Sequence, residues 1–332
     1  MAALIPESAL NAAGFLSYVN SDGERLAPEL TAVAAAAAHV PVLRLTGSSV
    51  AVSRRNLEFS AQAMAQSFPP FAVEEDLLID GPGGPMGATR YRADAASSRG
   101  LLLFFHGGGF VIGSRITHDS AVRALAVASG ADVLSVDYRT APEHKFPAAV
   151  DDALAAWRFA VEKAPQWGLD PRKIAVAGDS AGGNLAAGLC HQVRDDDVTP
   201  CLQVLIYPVV DVSKETASYR EFADGFFLTE KDMRWFVDHY LPDDDVRTDP
   251  RVSPLLADDF SGLPPAYVLV AGFDPLRDEG LAYAAELTGA GVPTQVVRAG
   301  DAMHGFLNMG LISPTAREHV DRIGAAVIDA MR

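Results

Sequence analysis

The chain has 332 residues, with 43 Asp and Glu against 27 Lys and Arg for a formal net charge of −16. That excess repels phosphate backbones and argues against nucleic-acid binding. Hydrophobic residues make up 49% of the chain, enough for a large core and too many for a disordered polymer; the length suits one large α/β domain or a core with an added lobe.

No apolar run reaches the ~18–20 residues of a membrane helix, so no membrane span is expected. The stretch MAALIPESALNAAGFLSYVN lacks the basic and continuous apolar regions of a signal peptide, and the expected location is the cytoplasm. Cys190 and Cys201 lack metal-ligand spacing and read as two reduced thiols. The acid runs at 195–197 and 243–245 read as solvated surface.

Residues 1–72 look helical: PELTAVAAAAAHV (28–40) has Pro near a helix start and a run of helix formers. NLEFSAQAMAQSF (56–68) puts Leu57, Ala61, Met64 and Phe68 on one face. Next, 73–80 and 87–93 flank a Gly/Pro turn and read as a strand pair. Short apolar runs at 101–105, 132–138, 173–178, 203–208, 266–272 and 293–299 then alternate with helical patterns at 118–129, 147–163, 181–193, 278–290 and 315–331. This alternation predicts an α/β fold with a mostly parallel, eight-stranded sheet flanked by helices. One stretch, 213–262, breaks the rhythm with a helical, aromatic-rich insertion. With residues 1–72 it is expected to form a helical cap over the carboxyl ends of the strands, above a catalytic domain of residues 73–332.

Chemistry concentrates at a few turns. Gly178-Asp179-Ser180-Ala181-Gly182 fits G-x-S-x-G between a strand and a helix, the setting in which a sharp turn lifts a serine hydroxyl as nucleophile. HGGGF at 106–110 follows the third strand, where free backbone amides can receive an oxyanion; His106 is expected to orient that loop. Of the eight histidines, His304 sits on a loop after the last strand, and Asp274 lies just beyond the strand before it. Asp278 and Glu279 compete for the acid's role but read as the start of a helix. The order Ser180, Asp274, His304 is that of a hydrolase triad.

These residues, together with DYRTAPEHKFPAA at 137–149 and DPLRDEG at 274–280, resemble the hormone-sensitive-lipase branch of the α/β-hydrolases, the bacterial carboxylesterases with a GDSAG motif. The resemblance spans roughly residues 73–332. It implies an α/β-hydrolase fold, Ser180 as nucleophile, His304 as base, Asp274 as acid, and an oxyanion hole from the amides of Gly107, Gly108 and Ala181. It also implies that Glu143 and His144 hold loops together. The approach Gly300-Asp301-Ala302-Met303-His304 departs from the family's usual Gly-Met-x-His.

The expected activity is hydrolysis of small-molecule carboxylic esters of short to medium chain through an acyl-enzyme, with no cofactor and no metal. The alternatives are a lactonase, amidase or thioesterase, or a non-catalytic receptor on the same fold. Phe110, Phe226, Phe227 and Phe306 are the candidate pocket residues, and a second copy of the chain is a candidate partner.

Overall fold

The computed structural model describes residues 18–96 and 98–332; residues 1–17 of the expected cap lie outside them. Eight strands form one sheet: β1 (Val73–Gly81), β2 (Gly84–Arg92), β3 (Leu101–Phe105), β4 (Asp132–Val136), β5 (Ile174–Asp179), β6 (Gln203–Ile206), β7 (Ala266–Phe273) and β8 (Thr294–Met303). Their spatial order is β1-β2-β4-β3-β5-β6-β7-β8. The first two strands are an antiparallel hairpin, and β2 joins β4 antiparallel. All later neighbours run parallel.

Alternate residues of the central strands serve two cores, as the period-2 geometry of a strand requires. Leu101, Leu103, Phe105, Ile174 and Val176 face α4 (Ala148–Lys163), α5 (Ala181–Gln192) and α8 (Arg277–Gly289). Leu102, Phe104, Ala175 and Ala177 face α3 (Asp119–Ser129) and α9 (Pro314–Ala330), with Leu30 and Ala34 of α1 (Pro28–His39) in the same cluster. Burial on both faces explains why β3 to β7 read as mainly apolar rather than alternating runs.

Two boundaries differ informatively from the pattern. The helix expected at 56–68 is α2, Val50–Ala63. It starts earlier because the Ser49 hydroxyl accepts from the Val52 amide at 3.3 Å, an N-cap that the apolar periodicity does not register. Strand β8 runs on to Met303, paired with Phe273 of β7 after an irregularity near Ala271. That extension brings His304 to the sheet's carboxyl end. The insertion contributes α6 (Ala217–Glu221) and α7 (Glu230–Tyr240), the latter opened by a capping box between Thr229 and Asp232. Among the described residues no helix is long and apolar enough to cross a membrane.

Candidate active site

Ser180 sits between β5 and α5 with φ 55° and ψ −118°, a conformation that an L-residue holds only where its surroundings impose it. The flanking glycines show why no bulkier sequence makes this turn. A Cβ on Gly178 would meet the Gly182 carbonyl at 2.2 Å, and one on Gly182 would meet the Phe105 oxygen at 1.9 Å. The Ser180 amide is held by the Ile206 carbonyl at 2.9 Å. Its hydroxyl thus stands at the first turn of α5, the positive end of that helix.

His304 follows β8, and its Nε2 lies 3.0 Å from Ser180 Oγ. Its Nδ1 lies 2.7 Å from Asp274 Oδ2. Since an ionised carboxylate only accepts, Nδ1–H donates to Asp274 and Nε2 is left as an acceptor facing the hydroxyl. Asp274 is wholly buried, and its Oδ1 accepts from the Leu276 amide at 2.8 Å, which fixes the carboxylate plane. The competing acids are engaged elsewhere: Asp278 accepts from the Ser218 amide at 2.8 Å and Glu279 from the Val210 amide at 2.8 Å.

The three glycines after His106 have separate jobs. The Gly107 amide donates to Asp179 Oδ1 at 2.8 Å and is therefore not free to receive an oxyanion, contrary to the sequence expectation. Gly108 and Gly109 adopt φ +115° and +60°. A Cβ on Gly108 would meet the Ile112 oxygen at 2.1 Å, and one on Gly109 would strike the Phe236 ring at 2.2 Å. Gly108, Gly109 and Ala181 leave their amides without a protein acceptor among the described residues. Gly109, missed by sequence reasoning, was visible only as the third glycine of the run.

Asp179 ties this loop to the elbow. It accepts from Gly107 and lies 3.3 Å from His118 Nε2. Burial pushes its carboxyl upward, but the His118 ring and the Gly107 N–H outweigh that and leave it below its ordinary value. His106 stacks on Tyr138 at 4.2 Å with Nδ1 2.8 Å from the Gly107 carbonyl. Burial first, then the neighbouring His118, lowers its pKa to about 4, so the ring is neutral at pH 7 and is part of the loop's scaffold. Glu143 pairs with Arg54 of α2, whose guanidinium also donates to the carbonyls of Val111 and Ala141 at 2.9 Å each.

A cavity of about 500 Å³ opens above Ser180 and His304. Its walls are apolar, with Leu57, Ala61 and Met64 from the N-terminal helices and Leu228, Met233 and Val237 from the insertion. Among the described residues no cluster of His, Cys, Asp and Glu is arranged to hold a metal ion.

Residues 102–308 match the family model described as alpha/beta hydrolase fold. The chain belongs to the α/β-hydrolase family, in its hormone-sensitive-lipase-like branch. It is 46% identical over 268 residues to the carboxylic ester hydrolase LipN of Mycobacterium tuberculosis, covering 78% of this chain and 71% of that one. It is 39% identical over 272 residues to the ethyl acetate hydrolase of Pseudomonas putida, covering 80% and 86%. Among solved structures, the hyperthermophilic esterase of the archaeon Pyrobaculum calidifontis superposes with a TM-score of 0.87 at 41% identity, covering 92% of this chain and 99% of that one.

In this α/β-hydrolase the four candidate phenylalanines separate. Phe110 and Phe227 line the cavity; Phe110, at φ 62°, stacks on Tyr240 at 3.9 Å. Phe226 does not line it, because its ring packs among Tyr18, Phe222 and Phe273 at 5.2–5.6 Å. Phe306 is also elsewhere, fully buried 5.8 Å from the Tyr207 ring and 5.6 Å from His319. Aromatic identity alone does not say which way a ring turns. The N-terminal wall residues Leu57, Ala61 and Met64 were visible as one helix face in the sequence, although nothing there said what the face covers.

Proposed function

We propose that the protein is a serine carboxylesterase acting on small carboxylic esters by acyl transfer. The observation that carries this reading is the unbroken hydrogen-bonded line from Ser180 Oγ through the His304 ring to Asp274, at 3.0 and 2.7 Å. His304 Nε2 takes the proton as Ser180 attacks the ester carbonyl, and Asp274 stabilises the imidazolium. The oxyanion that develops is received by the amides of Gly108, Gly109 and Ala181, which are preorganised and need no reorientation. The alcohol leaves with the proton from His304, and water repeats the sequence on the acyl-enzyme.

Residues 18–72 and 213–262 serve as the cap over a catalytic domain of 73–332, and the apolar cavity beneath it favours acyl chains of short to medium length. The unpaired Cys190 and Cys201 suit a reducing compartment, and the cytoplasm is the location we assign. The test is a panel of esters, lactones, amides and thioesters assayed on wild type and on Ser180→Ala. We expect p-nitrophenyl esters to be turned over fastest and Ser180→Ala to keep less than a thousandth of that rate. A variant retaining a tenth of wild-type kcat removes Ser180 as nucleophile.

A further inference from the structure

Strands β7 and β8 lead to the acid and the base, and their pairing breaks just before both. Ala271 pairs with Ala299 and Phe273 with Met303, so Gly272 alone stands opposite Gly300, Asp301 and Ala302. A bulge of this kind interrupts the ladder and bends the strand that carries the extra residues. Asp274 follows two residues after Gly272, and His304 four residues after Gly300.

Residues 18–27 brace this bulge from outside the sheet. The segment turns back on itself through a bridge between Val19 and Arg25. Asn20 is its buried pivot. Its Oδ1 accepts from the amides of Asp22 and Glu24 at 3.1 and 2.9 Å. Its Nδ2 donates to Glu24 Oε2 at 2.7 Å and to the Gly272 carbonyl at 3.1 Å, which uses both of its protons. The Ala27 amide donates to the Asp301 carbonyl at 2.9 Å.

The Glu24 carboxylate lies in a notch that two glycines leave open. A Cβ on Gly272 would stand 2.9 Å from Glu24 Oε2, and one on Gly300 would overlap Oε1. Arg298 of β8 donates to the same carboxylate at 2.6 and 3.1 Å. Asp22 pairs with Arg277 and Arg298 without entering the notch.

We propose that Asn20 is a positioning residue for the Asp274–His304 pair. Its side-chain amide, with the Glu24 carboxylate that it holds, fixes the bulge from which both catalytic loops depart. The proposal rests on the ester-hydrolase reading. Neither Asn20 nor Glu24 lines the substrate cavity, so loosening them acts on the geometry of proton transfer and not on substrate binding. A misplacement on the order of 1 Å far from the chemistry can cost about 10²-fold.

The experiment measures kcat and KM on p-nitrophenyl butyrate for wild type, Asn20→Asp and Asp22→Asn, with active sites counted by organophosphate titration. Asn20→Asp keeps the shape and the two acceptor contacts, but it turns an oxygen toward Glu24 and the Gly272 carbonyl, which are both acceptors. We expect kcat per titrated site to fall about 10–10²-fold with KM within about twofold, while Asp22→Asn keeps both within twofold. A merely structural contact would lower the melting temperature and the number of titratable sites, yet each remaining site would keep wild-type kcat; that result overturns the proposal. A raised KM at constant kcat, or an equal loss in Asp22→Asn, overturns it as well. Should Asn20→Asp not fold, Glu24→Ala empties the notch and reads the same kcat in the same direction. A wild type that neither titrates nor hydrolyses the ester overturns the parent reading instead, and this outcome is distinct because no rate per site then exists.

Discussion

The sheet's carboxyl edge and the cap above it are built on different principles. At the edge, backbone sterics leave almost no choice. Ser180 is held at φ 55°, and the glycines around it approach neighbouring backbone so closely that a single Cβ would overlap carbonyl atoms. In the cap, α1, α2 and α7 present Ala, Leu, Met and Val to the cavity, and any similar apolar set of the same volume would line it as well. The edge thus tolerates almost nothing, whereas the helices lining the cavity tolerate much.

The largest effect should come from the edge. Asp274→Asn keeps the shape of the carboxylate but removes its charge and reverses one hydrogen bond, so His304 loses its orientation and its counter-ion. In a serine protease the equivalent change costs about 10⁴ in kcat, and we expect a loss of that order with KM within a few-fold. Asp278→Asn, by contrast, should stay within about tenfold, since Asp278 caps Ser218 and pairs with Arg277. Steady-state kinetics on a short p-nitrophenyl ester decides; equal losses in the two variants would break the assignment.

That contrast also explains what the sequence disclosed. The strands, the elbow and the order of Ser180, Asp274 and His304 were legible because glycine placement and strand–turn–helix spacing are local constraints. The use of Gly107 was not legible. Nothing local reveals that its amide is taken by Asp179, 72 residues away in the chain. The same holds for the pocket: Phe226 and Phe227 are neighbours in sequence, yet one turns into an aromatic cluster and the other lies against Gly305. Long-range packing decides such orientations, and periodicity does not carry it.

A smaller loss should follow from loosening the edge without touching the reacting groups. Asp179→Asn can still accept from the Gly107 amide but no longer offers a charge to His118. In the proposed mechanism the amides of Gly108 and Gly109 receive the oxyanion, which exists only along the reaction path. A slightly displaced loop should therefore lower kcat by about 10–10²-fold and leave KM nearly unchanged. A rise in KM at constant kcat would place Asp179 in substrate binding instead.

The helix leaving the elbow gives a pH test of folding rather than of catalysis. His191 is half-buried near the end of α5, 3.1 Å from the Tyr283 hydroxyl. Burial, with Arg194 nearby, lowers its pKa from 6.5 to about 4. The unfolded chain then binds a proton that the folded chain refuses. The stability this neutral ring contributes is full above about pH 6.5 and is lost as the pH falls toward 4. Over that window the loss is on the order of 2–3 kcal/mol. His191→Gln keeps a hydrogen-bonding group without the titration, so denaturant unfolding at pH 7 and 4.5 should show a shallower acid loss than in wild type. Parallel losses would mean that His191 does not titrate in this window.

The smallest effects belong to the cap, and two adjacent residues there should respond in opposite ways. Phe227 borders the cavity beside His304, whereas Phe226 contributes its ring to the cluster of Tyr18, Phe222 and Phe273. Removing the Phe227 ring widens the cavity near the reacting atoms, and a half-buried ring leaves little packing behind to collapse. We expect a few-fold change in KM and under ~1 kcal/mol in stability. Removing the Phe226 ring deletes three aromatic contacts, each worth about 0.5–1.5 kcal/mol beyond burial, and touches no substrate. Phe226→Ala should therefore melt earlier while its kcat and KM stay within about twofold. Thermal unfolding and kinetics on the same two preparations give the answer. If Phe226→Ala shifts KM and Phe227→Ala shifts only Tm, the two rings have exchanged roles, and the cap covers the site in a different orientation.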